Sequence, residues 1–414
     1  MKTRILLSAG LVAGALLGCG QTSGGANPFV AATPDAAGLT LETSGTDESL
    51  VAAGATSPLA LTEAVATGAT TCAPYQDLCN IHRVISGLNG FTEELLDQVQ
   101  ALAALPPTVV SPTEELFGPV NLPATNPVAT FRLTVVEETP MAAAAATPEG
   151  TFRWKLEGKP LGAPDTSYAI LAAGVMHRAP TDLVHRGHGV IGVDLDALTA
   201  LNPAPVTSAS PFGDAAGKLL IGYRHTGVAK SVVYFLSNFT PDQATQPALA
   251  DAYVAGWKDA LGEARVRIAS VGEYVPPPTG TTDAGKELIV ARARWLPGVG
   301  GRALVAVAGG DVPSYGVDFF LGVSCYDKAE AQLYRGWFGC KLGMGCTLVP
   351  GMPAGWDVGA PTACLAGTEL PYDDALPPPA PATDATTNAS PPQGAPTGMG
   401  AADAPPAGMA AVAF

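Results

Sequence analysis

The sequence predicts a mainly β protein of the α+β class, with one large curved antiparallel sheet or partial barrel, a short N-terminal helical segment and one inserted helix. From residue 131 onward apolar and polar residues alternate, which is the period of a half-buried strand. Short linkers rich in Gly, Pro and Asp separate these segments. About eleven strands then follow one another, which favours an antiparallel meander that curls.

The predicted strands share this alternation, and many carry Arg or Lys at every second position. They are residues 131–135, 152–156, 168–176, 189–195, 219–225, 231–239, 264–271, 287–295, 303–308, 317–325 and 332–338. The basic residues are Arg132, Arg153, Lys155, Arg224, Arg265, Arg267, Arg292 and Arg294. They indicate either a cationic face for an anionic ligand or a solvated face that pairs with acids such as Glu137, Glu157 and Glu263.

Two helices are predicted. Apolar residues recur at helical spacing from Ile81 to Leu102, with Asn89-Gly90 interrupting the run, which predicts a helical hairpin or a bent helix. The second is predicted over 249–261, where Leu249, Tyr253, Val254, Trp257 and Leu261 fall on one helical face. We expect this second helix to lie as a lid on the concave apolar face of the sheet.

The N-terminus carries Lys2 and Arg4, then a short apolar stretch that ends in Leu16-Leu17-Gly18-Cys19. This run resembles the lipobox of bacterial lipoprotein precursors. The resemblance implies cleavage before Cys19, a diacylglyceryl thioether on its sulfur and a further acyl chain such as palmitate on the new amino group. Two or three acyl chains hold a protein stably at a membrane. In a Gram-negative host, the resemblance with Gly20 in place of Asp implies an outer-membrane anchor on the periplasmic or surface face of the cell envelope.

Composition divides the chain into four parts: a signal peptide (1–18), a lipid-anchored disordered tether (19–70), a single disulfide-stapled β-rich domain (71–370) and a disordered Pro/Ala-rich tail (371–414). As a random coil, the tether would span roughly 40 Å. The net charge is −15, and its acidic excess lies in the flanks rather than between residues 131 and 341. The chain lacks the concentrated basic patch of a nucleic-acid-binding protein.

Six further cysteines, an even number in an exported chain, predict three disulfides. We expect the pairs Cys72–Cys79, Cys325–Cys340 and Cys346–Cys364. A zinc site is the competing interpretation, although no pair of cysteines has the C-x2-C spacing typical of one.

Three histidines crowd one loop, and a fourth ends a later strand: His177, His185, His188 and His225. If the intervening strands alternate in direction, all four reach the same end of the sheet. Neutral imidazoles there could hold zinc or copper. The alternative is a polar loop with unrelated histidines.

The sequence contains no G-x-S-x-G elbow, no P-loop and no dinucleotide-binding glycine motif at a strand-to-helix junction. The expected architecture resembles the periplasmic lipoprotein carriers and the related outer-membrane lipoprotein receptor, which have a helical lid on an unclosed barrel. We therefore expect a non-enzymatic, lipid-anchored binding protein for an amphiphilic ligand or a partner protein. The alternatives are a metal-dependent hydrolase that uses the histidines and a structural or surface-display lipoprotein.

Overall fold

The computed structural model confirms the predicted fold class, because most of the described chain forms one antiparallel sheet. It describes residues 27–41, 77–121, 129–138, 150–178, 185–201, 216–226, 229–240, 252–258, 264–272, 275, 280–282, 285–296, 300–327, 331–342, 344–348 and 359. Each of the 15 strands in this part of the chain pairs with its neighbour in sequence. The signal peptide, Cys19, Cys72, Cys364 and the C-terminal tail lie outside it.

The strands are β1 (Pro107–Val110), β2 (Glu114–Val120), β3 (Ala129–Glu138), β4 (Gly150–Pro160), β5 (Ala169–Arg178), β6 (Gly187–Asp194), β7 (Ala216–Thr226), β8 (Ala229–Thr240), β9 (Ala252–Lys258), β10 (Ala264–Gly272), β11 (Glu287–Leu296), β12 (Gly300–Gly309), β13 (Phe319–Tyr326), β14 (Gln332–Lys341) and β15 (Gly345–Leu348). The α-helices are α1 (Pro28–Ala31), α2 (Ala36–Leu39), α3 (Asp77–Ala103) and α4 (Leu195–Ala200). Two 3₁₀ turns span Asp165–Ser167 and Val312–Tyr315.

The N-terminal helical segment is one continuous helix, α3, of 27 residues. Of the two predicted forms, the helical hairpin is therefore wrong, and a single helix continues through Asn89-Gly90. A glycine inside a helix costs only about 0.5–1 kcal/mol, which the burial of a long apolar stripe outweighs. That stripe is at most 4 % exposed and comprises Ile81, Val84, Ile85, Leu88, Leu95, Leu96, Val99 and Leu102.

The predicted helix over 249–261 is also wrong, because this segment contains β9. Strand β9 pairs with β8 on one side and with β10 on the other. A short apolar run fits either period, and here two neighbouring strands supply its backbone hydrogen bonds. The helix inserted in the meander is instead α4, which begins where the Asp194 side chain accepts a hydrogen bond from Ala197 N at 3.0 Å.

The inner face of the sheet, defined as the face that packs against α3, holds one continuous apolar core. Alternate residues of the strands from β2 to β14 contribute to it, and so do all four helices. Helix α3 contacts β2 and β3 and also β12, nine strands further along, so the sheet curves around the helix. The predicted concave apolar face thus exists, but α3 covers it and not a helix at 249–261.

Residues 27–41 form a second structure on the inner face, which we call the strap. It contains α1 and α2, and its side chains Phe29, Leu39 and Leu41 are buried in the core. Phe29 meets Phe152 of β4 edge to face, with ring centroids 6.1 Å apart. The prediction of a disordered tether over 19–70 is therefore wrong for these residues, because their few large apolar side chains gain enough by burial to order the segment.

Candidate functional site at the histidine end of the sheet

One turn of the strap is bound to the loop that precedes β6. The backbone N–H of His185 donates to Ala31 O at 3.1 Å. The Nδ1 atom of His185 lies 2.6 Å from Thr33 O, and because a carbonyl oxygen only accepts, Nδ1 carries the proton. His185 adopts φ 62°, an uncommon conformation for a residue other than glycine. The strap is thus contacted by two nitrogen atoms of His185, the backbone N and the ring Nδ1.

The other end of the strap is bound to α3 and β8. The Tyr234 hydroxyl, buried inside the sheet, donates to Leu39 O at 2.8 Å, and Thr92 Oγ1 lies 3.4 Å from the same hydroxyl. Burial raises the pKa of Tyr234 well above its ordinary value, so the hydroxyl stays protonated and able to donate. The strap is therefore held by polar contacts as well as by its apolar side chains.

Three of the four predicted histidines do meet at one end of the sheet. His177 of β5 stands opposite His188 of β6, and their rings stack with centroids 5.0 Å apart. His225 of β7 stands opposite Gly187 of β6. Its Nδ1 would be 3.2 Å from a Cβ added at Gly38, which places it beside the strap. The alternating strand directions account for this meeting.

The predicted metal site at the histidines stays a prediction. Within the ranges that the structure describes, no group of three or more His, Cys, Asp or Glu side chains is arranged to hold a metal ion. Neighbouring strands bring the rings to one end, and the hydrogen bond of His185 Nδ1 to the strap leaves Nε2 as the ring nitrogen that a metal ion would use.

The basic residues near β4 fit the solvated-face interpretation. Arg132 donates through Nε and Nη2 to the two carboxylate oxygens of Glu157, at 2.9 and 3.1 Å. Lys155 Nζ lies 3.3 Å from the same carboxylate. Burial acts to raise the pKa of Glu157, but the hydrogen bonds and charges of Arg132 and Lys155 outweigh it and lower that pKa. Arg153 likewise pairs with Glu138.

The basic residues of the later strands follow a different pattern, because the register places them in one line across the sheet. We call this line the basic row. Its members, from β5 to β12, are His177, His188, Arg224, Ser231, Trp257, Arg265, Arg294 and Arg302. All of them except Ser231 and Trp257 are histidine or arginine. Arg267 and Arg292 form a second opposed pair, two residues further along. The sequence marks most of these residues singly, but only the register shows that they align.

The cysteine pairing differs from the prediction. Cys340 of β14 is bonded to Cys346, which stands opposite it on β15. The pairs Cys325–Cys340 and Cys346–Cys364 are therefore wrong, because a tight hairpin brings Cys346 next to Cys340. Cys325 is also in a disulfide. The pair Cys72–Cys79 remains a prediction, since Cys72 and the side chain of Cys79 are not described.

Comparison with known proteins identifies no relative. No family model, no curated protein and no solved structure matches the chain. Among the helices in the described residues, none is both long enough and apolar enough to span a membrane.

Proposed function

We propose that this chain is a lipid-anchored, non-enzymatic protein of the bacterial cell envelope that binds an amphiphilic ligand or a partner protein through the outside of its sheet. The anchor is supported by the resemblance of Leu16-Leu17-Gly18-Cys19 to a lipobox. The compartment is supported by three described cysteines in disulfides, Cys325, Cys340 and Cys346, which suit an oxidising environment.

The observation that favours outer-surface binding is the packing of the inner face. A carrier with an interior site needs an apolar cavity between sheet and lid. Here α3 covers that face with side chains that are almost fully buried, and Leu95, Leu96, Val99 and Leu102 are each 0 % exposed. The strap fills further space, with Leu39 at 0 % and Leu41 at 4 %. The inner face thus serves as the core of the protein.

The strap also changes how far the body can stand from its anchor. Only the residues from Gly20 to Ala26 separate Cys19 from Asn27, the first residue of the strap. Even fully extended, such a segment spans at most roughly 28 Å. Asn27 is itself fixed, because its Nδ2 donates to Glu115 Oε2 of β2 at 2.9 Å. An acylated Cys19 would therefore hold the body close to the membrane.

Mass spectrometry of the full chain, produced in a host that processes bacterial lipoproteins, tests the proposal. We expect a mature N-terminus at Cys19 with two or three acyl chains, and a protein that stays in membranes through a high-salt wash and leaves them in detergent. The Cys19→Ser variant should keep its leader and carry no acyl chain. A mature wild-type protein that begins elsewhere and is released by the salt wash would overturn the proposal.

A second measurement separates the proposal from its enzymatic alternative. The histidine-based hydrolase requires a bound metal ion, so metal analysis of the purified mature protein decides between them. We expect less than about one zinc or copper ion per ten chains, and no change in that content for His188→Ala. A stoichiometric metal that is lost in His188→Ala would favour the hydrolase.

A further inference from the structure

Two turns project from the far end of the sheet, by which we mean the end opposite the histidines. Thr151, near the start of β4, stands opposite His177, so Pro160 at the end of β4 lies at the far end. Strand β14 is likewise level with Arg302 of the basic row near its start, and it ends at Lys341. The turn after β4 and the hairpin between β14 and β15 therefore project in the same direction.

Each of these turns exposes two large apolar side chains beside a charged one. Met344 is 80 % exposed and Leu161 is 53 % exposed, and Ile170 and Leu342 are exposed as well. Within the described ranges, the other large apolar side chains that are exposed both lie on β1. Such a concentration at one end indicates a surface that meets a partner. We define a turn patch and a hairpin patch, which are respectively Leu161, Asp165 and Ile170, and Lys341, Leu342 and Met344.

The turn patch is held in place by side chains of the turn and its strands. Lys159 Nζ donates to Ala163 O at 2.6 Å and to Asp165 Oδ1 at 2.7 Å. Tyr168 lies at the end of the turn, with the Arg132 guanidinium 4.0 Å from its ring centroid. The Lys159 side chain is only 12 % exposed against 85 % for Asp165, so the carboxylate is the charge that a partner meets. A surface that is already ordered loses little conformational entropy on binding.

The hairpin patch is also ordered. A disulfide joins β14 and β15 at the base of the hairpin. Leu342 N donates to Asp318 Oδ2 at 2.7 Å, and Met344 N donates to Lys341 O at 3.0 Å. Asp318 thus binds the backbone of the hairpin, and Lys341 supplies an exposed ammonium group beside the two apolar side chains.

We propose that the far end binds the far end of a second copy of this chain, with the turn patch of each copy on the hairpin patch of the other. The two patches are complementary, because one combines apolar side chains with a carboxylate and the other combines them with an ammonium group. A two-fold axis between the copies makes the two contacts equivalent, so each favourable pair occurs twice. This inference goes beyond the proposed function and does not depend on the lipid anchor.

Charge and side-chain chemistry favour a second copy as the occupant. In the two-fold arrangement Asp165 faces Lys341 of the second copy, and opposite charges that face each other across an interface fix its register. The unbranched thioether of Met344 adapts to an irregular apolar surface such as a turn. An anionic lipid surface would accept the apolar side chains but would repel the exposed carboxylate of Asp165.

Photocrosslinking between differently labelled copies of the mature full chain tests the proposal. Unlabelled and nitrogen-15-labelled chains, with benzoylphenylalanine in place of Met344, are mixed in detergent with micelles in large excess over protein. A crosslinked peptide that carries both labels must come from two copies. We expect such peptides to join position 344 to residues 161–170. In the matched control the probe replaces Val110, which is 65 % exposed on β1, and we expect no mixed-label peptide.

An exchange of charges tests the pairing of the two patches. Asp165→Lys places like charges at both contacts between identical copies, and so does Lys341→Asp. Because like charges that face each other across an interface oppose binding, each variant alone should give at least about fivefold less mixed-label adduct from position 344. When one variant is labelled and mixed with the other, opposite charges meet again at both contacts, so the mixed-label adduct should return to the wild-type level.

Three outcomes would overturn the inference. Adducts from position 344 that carry a single label only would assign the hairpin to a contact within one chain. Equal mixed-label adducts from positions 110 and 344 would show collision without a preferred surface. Loss of adduct in both charge variants without recovery in their mixture would show that the substitutions act through the fold of the turns and not through a contact between copies.

Discussion

The side chain of Asn89 on α3 forms two hydrogen bonds with the backbone of Leu41 at the end of the strap. Leu41 N donates to Asn89 Oδ1 at 2.8 Å, and Asn89 Nδ2 donates to Leu41 O at 2.6 Å. This arrangement satisfies both backbone groups of Leu41 beside the core. Asn89, which the sequence alone marks together with Gly90 as a helix breaker, thus joins the strap to the helix.

Removal of this contact should loosen the strap. Asn89→Ala leaves the backbone groups of Leu41 without these partners, and we expect it to lower the free energy of unfolding by about 1–3 kcal/mol. Denaturant titration measures the loss. Limited proteolysis followed by mass spectrometry should show faster cleavage within residues 27–41, and an unchanged cleavage pattern would contradict the proposed role of Asn89.

Gly90, the next residue, offers a substitution with the opposite effect. It is exposed on α3, and a Cβ added there would meet nothing within 4 Å. Gly90→Ala should therefore raise the free energy of unfolding by about 0.4–1 kcal/mol, because alanine loses less conformational freedom in a helix. The same denaturant titration tests it, and destabilisation would show that the helix is interrupted at this point.

Gly256 of β9 leaves room for the strap. A Cβ added there would lie 2.5 Å from Leu41 Cδ2 and 2.8 Å from Leu41 Cδ1. Gly256→Ala should therefore destabilise the protein by about 1–3 kcal/mol through overpacking. Leu41→Ala alone should cost about 2–5 kcal/mol because Leu41 is buried.

The double variant distinguishes a direct contact from two separate effects. If the methyl group introduced by Gly256→Ala occupies space that the Leu41 side chain vacates, the combined loss is smaller than the sum of the single losses by at least about 0.5 kcal/mol. A double-variant cycle in denaturant measures this difference. Strict additivity would contradict the contact between the strap and β9.

Glu157 should make stability depend on pH. Its pKa lies below the ordinary value of 4.5 in the folded protein, so the ionised carboxylate stabilises the fold above that value. This stabilisation is lost as the pH falls through the lowered pKa. Glu157→Gln should cost about 1–3 kcal/mol at pH 7 and less at pH 3. Denaturant titrations at both pH values measure the change, and a cost that is equal at both would contradict the prediction.

Disulfide mapping tests the revised pairing. Digestion without reduction should yield a peptide that links Cys340 to Cys346. If Cys72 pairs with Cys79 as the sequence predicts, Cys325 is left with Cys364. A peptide that links Cys325 to Cys340 would contradict the hairpin of β14 and β15.

The sequence by itself determined the strands and the helix whose pattern of apolar and polar residues is local and repeated. Alternation along the strands predicted a large antiparallel meander, and the apolar stripe from Ile81 to Leu102 predicted a helical segment. That this segment, and not one at 249–261, covers the inner face was not predicted. The same topology argument brought His177, His188 and His225 to one end of the sheet, as the register confirms. The lipobox resemblance at Cys19 is equally local, and it stays a prediction.

The tertiary structure decided whatever depends on partners distant in sequence. A short apolar run at 252–258 forms a strand because β8 and β10 lie beside it. Residues 27–41 are ordered because α3 and the sheet bury them, although their composition alone indicates disorder. Single arginines at period two become a basic row only when the register aligns them. Local patterns set which residues share a face, but burial and register are properties of the assembled sheet.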